Sequence, residues 1–364
     1  MVFKRMKKRN LISNIILIVV FLAFLLLIEE NKKLPQLLNL IFIYSIAALA
    51  LNIICGCLGE FVLGHGGFLL IGYTVSVLIA TACQSLFGAD FFTEFIYTTR
   101  GAELHISGYL LVIIITLIAG VATGLVGLLV GTIALGRLKG DYLAIVTLGI
   151  SLIFVNICKN FKPLGGASGT GIASFLGGTP LLYGIFLVLV VLLILSFMKS
   201  RFGRAILACR DDNIAAEATG VAVNKYKVLA FTFASFLTGI AGGLLANHQT
   251  FAPITFGQDR SILFLIIIVL GGLGSLTGSI LASTLIVLYE FWLCKQGWFP
   301  DFFASNPKII YGVILVVIML FRTKGILGHS EFTWDWFYSK LKKIFKKKAP
   351  KEVENNGWDC IKSK

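Results

Sequence analysis

The sequence predicts an all-α fold, a polytopic transmembrane helix bundle, and three observations carry that prediction. Of 364 residues, 57% are hydrophobic and only 14% charged, where a soluble domain carries about 25% charged residues. Ten apolar runs approach the roughly 20 residues that cross a bilayer as helix: 11–28, 36–54, 61–82, 106–135, 141–158, 180–198, 228–247, 256–272, 276–293 and 308–322. The net charge of +14 sits mostly at the ends of those runs, where membrane topology accounts for it and no nucleic-acid partner is needed. With the N-terminus inside, about 24 lysines and arginines fall on the inner side and about 8 on the outer side. That asymmetry predicts about ten spans, N-in and C-in, in a multi-pass protein of the cell membrane.

The elements follow in order. A basic N-terminus, 1–10, precedes the run Leu11–Ile28, which is followed by Glu29-Glu30 instead of small residues, so it reads as an uncleaved first span. The third run opens on Leu63-Gly-His-Gly-Gly-Phe68, where glycines flank a histidine. A broken span can present backbone groups to a substrate, and polar groups at membrane depth are costly enough to be suggestive. His65, Gly66, Gly67 and Asn156 are therefore candidate pathway residues, with a packing histidine as the competing reading. Asn52, Asn247, His248 and Glu290 are further polar groups in apolar runs; Glu290, late in its run, suits an interface. Gly120-xxx-Gly124, Gly127-xxx-Gly131 and Gly239-xxx-Gly243 predict close helix–helix approach.

Asp141 opens the fifth run and is the expected N-cap. The Gly-rich stretch 159–179 suits either a re-entrant segment lining a cavity or a surface loop. Gly271, Gly272, Gly274 and Gly278, in GGLGSLTG, mark either a tight turn between two spans or a break in one. The tail 323–364 is basic, and Trp334, Phe337, Leu341 and Phe345 recur at helical steps among lysines, as in a helix lying on an anionic leaflet. Residues 11–322 form the membrane domain between these two basic termini.

The longest polar interruption, 199–227, carries six basic residues. A short helix lies at its centre: Asp211 or Asp212 can cap its start, alanines favour it, and Gly220 suits its end. So short a helix is not stable alone in water and requires a packing partner.

Chemistry has little to stand on. The four histidines lie far apart and no nucleophile–base motif occurs. Cys55-Gly-Cys57 lacks a matching second pair at metal-site spacing. GGLGSLTG has Ser279 where a phosphate loop requires lysine. The chain is not expected to be an enzyme or to hold a metal or cofactor; any ATP it uses is hydrolysed by another subunit.

Three stretches carry a resemblance: Gly136-Arg-Leu-Lys-Gly-Asp-Tyr-Leu-Ala-Ile-Val-Thr-Leu-Gly149, Gly203-Arg-Ala-Ile-Leu-Ala-Cys-Arg-Asp-Asp-Asn-Ile-Ala-Ala-Glu-Ala-Thr-Gly220, and the 271–278 glycine segment. With Leu63–Phe68, they resemble the LivM-type permeases of ABC importers for branched-chain amino acids. The resemblance implies a second permease subunit, two cytoplasmic ATP-binding subunits and an extracytoplasmic substrate-binding protein. It also implies that the helix at 211–219 docks on an ATPase, through Arg210, Asp211, Asp212, Ile214, Ala215, Ala216, Glu217 and Gly220. Related permeases that import urea, short amides or nucleosides share the architecture. An ion-coupled secondary transporter is the rival of another class, but such proteins place carboxylates mid-span, and Glu60 and Glu290 lie near run ends.

Overall fold

A computed structural model describes residues 33–87, 106–136, 140–161, 166–168, 180–249 and 253–292, with 310–313, 316–317 and 320. The first run, the basic N-terminus, most of the 159–179 stretch and the tail from 323 lie outside the described residues, as does most of the tenth run.

Every regular element described is helical. Helix α1 (Lys33–Asn52) continues into a π-helical turn, Ile53–Leu58. Then follow α2 (His65–Phe87), α3 (Ile106–Ala134), α4 (Asp141–Asn160) and α5 (Pro180–Lys199). Two short helices, α6 (Arg201–Asp211) and α7 (Asn213–Ala218), lead into α8 (Val223–His248). A 3-10 turn at Pro253–Phe256 precedes α9 (Gln258–Gly271) and α10 (Leu276–Val287). Among the described residues seven segments are long and apolar enough to cross a membrane, and Leu276–Phe291 is a shorter apolar helix.

Burial ranks these helices. The segment Pro35–Leu58 is 94% buried and α8 72%, against 33% for α4. α1 and α8 therefore form the axis of the bundle. α8 packs along α3, α2 and α1, while α1 also meets α5, α9 and α10. The outer helices leave large apolar side chains uncovered, such as Leu129 and Ile133 on α3 and Ile145 and Ile153 on α4. These faces suit lipid, which solvates them as well as a protein core would.

The small-residue stripes sit where close approach was expected. Gly127 lies against Ser235, Gly131 against Phe231, and Gly239 against Thr123 and Ala119, so α3 and α8 meet backbone to side chain. Gly72 of α2 abuts the backbone of Gly239 on another face of α8, and a Cβ there would stand 2.5 Å from the Gly239 carbonyl oxygen.

One expectation changes and one open alternative is resolved. Asp141 is the first residue of α4 and Gly140, at φ 59°, is its cap; the aspartate faces solvent in the first turn, where the helix dipole favours its charge. The segment 256–293 is two helices. Gly272 (φ 110°) and Gly274 (φ 86°) turn the chain, and Ser275 caps α10 by accepting from the Gly278 N–H at 3.1 Å. Gly271 and Gly278 then touch, since a Cβ on Gly278 would meet the Gly271 oxygen at 2.2 Å.

Candidate coupling site

The polar segment between α5 and α8 forms a folded unit at one end of the bundle. Ser200 caps α6, its hydroxyl accepting from the N–H groups of Phe202 and Gly203 at 3.2 and 3.4 Å. Gly203, Ile206 and Cys209, each three residues from the next, are the buried face of α6. Gly203 allows the corner with α5, since a Cβ there would meet the Met198 backbone at 2.4 Å. Sequence reading treated 201–210 as loop; the three-residue spacing of its non-polar positions was the available signal.

Helix α7 has its own punctuation. Of the two aspartates weighed, Asp212 is the cap: its extended backbone ends α6, and Oδ1 accepts from the N–H of Ile214 at 2.8 Å and of Ala215 at 3.2 Å. At the other end Gly220, at φ 86°, donates to the Glu217 carbonyl, and Val221 donates to the Ala216 carbonyl. This reciprocal pair of bonds closes the helix and needs the left-handed residue that glycine supplies. Ala216, Cys209 and Val223 form a small apolar cluster with Val221 and Tyr226 beside it. Burial pushes the Cys209 thiol above its ordinary pKa, with Lys227 drawing it partly back.

The residues expected to dock divide into two sets. Asp211, Asp212, Ala215, Glu217 and Gly220 are exposed, and Ile214 is 81% exposed. Ala216 points inward at 4%. Arg210 also turns inward: its guanidinium donates to the Gly56 carbonyl at 3.1 Å as well as pairing with Asp211 at 3.0 Å. Capped α7, with Asp211 at the end of α6, thus presents one isoleucine and three carboxylates outward on an apolar base.

Beneath it lie residues that sequence reading did not assign. Lys227 Nζ donates to Glu60 Oε1 at 2.5 Å, with 6% and 13% of the two side chains exposed. Asn52, at the end of α1, donates to the Ser275 carbonyl at 3.0 Å and to Ser279 Oγ at 3.1 Å, and accepts from the Gly274 N–H at 2.8 Å. The α9–α10 turn, the π turn of α1 and the α6–α7 segment therefore share one end of the bundle.

The four candidate pathway residues do not converge. His65 starts α2 inside the bundle, and its Nε2 donates to the Ala47 carbonyl at 2.8 Å while its ring packs edge-on against Phe264. A carbonyl only accepts, so that bond places the proton on Nε2. The Gly66 N–H donates to Ser261 Oγ at 2.9 Å, and Gly67 rests on Ser151 of α4. Asn156 is exposed on the outer face of α4, in a shallow surface concavity with Ile153, Ile157, Asn160 and Phe161. Another buried polar group, missed from the sequence, is Arg260, which donates to the Tyr44 hydroxyl and lies over its ring. Glu290 accepts from the Tyr311 hydroxyl at 3.1 Å. Among the described residues no three His, Cys, Asp or Glu side chains are grouped to hold a metal ion.

A bundle with a capped helix at one end fits many transporters; its family is decided by comparison. The model of the family described as "Branched-chain amino acid transport system / permease component" matches residues 33–320. The chain belongs to that family. It is 31% identical over 325 residues to the high-affinity branched-chain amino acid transport system permease protein LivM of Escherichia coli (strain K12), covering 79% of this chain and 68% of that one. The protein of the same name from Salmonella typhimurium is 29% identical, over 85% of this chain and 73% of its own. A probable LivM of Methanocaldococcus jannaschii is 25% identical, over 83% and 95%. No solved structure matches the chain significantly. The permease-family match spans every described helix, from α1 through α6 and α7 to α10.

Proposed function

We propose that this permease-family chain forms the translocation path of an ATP-driven importer for branched-chain amino acids, working with a second permease subunit, two cytoplasmic ATP-binding subunits and an extracytoplasmic binding protein. Both termini lie inside, and α7 docks on an ATP-binding subunit. The observation that carries this reading is Ile214: a large apolar side chain four-fifths exposed on a helix capped at both ends and anchored by Ala216. A helix this short is not stable alone in water, and the apolar side chain it holds outward supports a packing partner on that face. ATP-driven closure of the partner subunits pulls on α7, and the tightly packed α1–α8 axis transmits the movement as rigid-body rocking. Specificity belongs to the binding protein, because an apolar site separates substrates by one methylene only weakly.

The test is ATPase activity of the reconstituted complex, comparing wild type with Glu217→Arg. Reversing this exposed charge is expected to abolish stimulation by liganded binding protein while leaving the permease folded. Stimulation at the wild-type level would move docking away from α7. Stimulation by urea or a nucleoside, with leucine, isoleucine and valine inert, would keep the architecture and discard the substrate.

A further inference from the structure

Docking explains how force enters α7 but not how it reaches the bundle. Two contacts leave the coupling segment for α1 and its continuation. Arg210, last but one in α6, donates to the Gly56 carbonyl inside the π turn. Its aliphatic stem lies over Gly59, where a Cβ would stand 2.8 Å from the arginine Cγ. Gly59 has φ 80°, so this is where the chain leaves the π turn and reverses. One residue later Glu60 takes the ammonium of Lys227 from the first turns of α8.

The segment gripped at both points, 59–64, leads directly to the start of α2. It does not stay at the surface. His65 bonds to Ala47, eleven residues back from Leu58 along α1 and its π turn, a climb of roughly 15 Å at helical rise. The N–H of Leu63 is held on the way by Thr147 Oγ1 of α4 at 3.3 Å, and Gly64 lies against the Thr147 carbonyl. Anything that displaces Glu60 or Gly59 is thus conveyed to the first turn of α2, at His65, Gly66 and Gly67.

Burial sets the character of the pair. With so little of either side chain exposed, solvent screens it weakly, and separating the charges leaves two uncompensated ions. Such a contact is either made or broken, which suits a two-state linkage better than a graded one. The π turn adds to this. A π turn is rare in helices and recurs at functional positions, and here its Gly56 carbonyl is the acceptor for Arg210.

We propose that Glu60–Lys227 and Arg210–Gly56 are a two-point latch that transmits movement of α6 and α7 to the 59–64 segment and so to the N-terminus of α2. The latch rests on the docking role assigned to α7, but Glu60 and Lys227 are buried beneath it and the Arg210 guanidinium turns inward to Gly56. Glu60 and Lys227 are positioning residues. Breaking the latch separates ATP hydrolysis from transport, whereas loss of docking removes stimulation of the ATPase itself.

The experiment uses the full complex in proteoliposomes and reads substrate moved per ATP hydrolysed, with co-purification of the ATP-binding subunits as a separate readout. Glu60→Gln and Lys227→Met are each expected to lower that ratio about tenfold, the scale of a typical coupling free energy, with co-purification unchanged. The exchange Glu60→Lys with Lys227→Glu is expected to recover most of it. Single variants within twofold of wild type, or an exchange that assembles yet recovers nothing, would overturn the latch. Where the single variants fail to assemble, Arg210→Met and Arg210→Lys decide: a ratio lowered in Met and retained in Lys supports the latch, and two wild-type ratios overturn it. Failure of the wild-type complex to couple at all would instead overturn the importer assignment.

Discussion

Asp212 and Gly220 show what a single residue contributes to this site. Each acts through its own backbone neighbourhood: the aspartate satisfies two N–H groups that helix geometry leaves free, and the glycine accepts a φ of 86° that other residues resist. Asp212→Ala should therefore cost about 1 kcal/mol of local helix stability, seen as faster amide hydrogen exchange over 213–218 with the rest of the bundle unchanged. Both caps were legible beforehand because capping chemistry is local. The inward turn of Arg210 and Ala216 was not legible. Which side of a two-turn helix faces the protein depends on what it lands on, here Gly56 and the Cys209–Val223 cluster.

Among the elements, close packing of α3 and of α8 was legible, though not that they pair with each other, because small residues four apart describe a helix face without reference to any other helix. Gly127→Leu puts a branched side chain where a Cβ alone would lie 2.4 Å from Ser235. Overpacking of this sort costs about 1–3 kcal/mol, and a lower detergent melting temperature with reduced folded yield is the expected outcome. Helix α6 escaped notice for the opposite reason. Its exposed positions include Arg201 and Arg204, whose charges suggest a loop, and its apolar face is one side of eleven residues. The α9–α10 pair was left open between turn and break because glycine permits both; the turn is settled by Asn52, which belongs to another helix.

At the scale of the whole molecule, Asn52 ties α1, the most buried helix, to the 271–275 turn more than two hundred residues away. Asn52→Leu would leave the Gly274 N–H without its acceptor, a loss of about 1–3 kcal/mol. Reduced thermal stability together with new protease sensitivity at 271–275 would report the freed turn. The sequence by itself determined the membrane class, the helical content, the approximate positions of the spans among the described residues and the short capped helix, because apolar run length, small-residue spacing and capping chemistry are encoded over a few turns of chain. Only the tertiary structure decided that α2 begins beside Ala47 instead of at the bundle end, that Asn156 faces outward while His65 is enclosed, and that Glu60 meets Lys227. Those facts depend on which distant segments share a surface. Long-range pairing in a bundle whose helices are all apolar is selected by a few buried polar contacts and close backbone approaches, and no local pattern announces the partner of either.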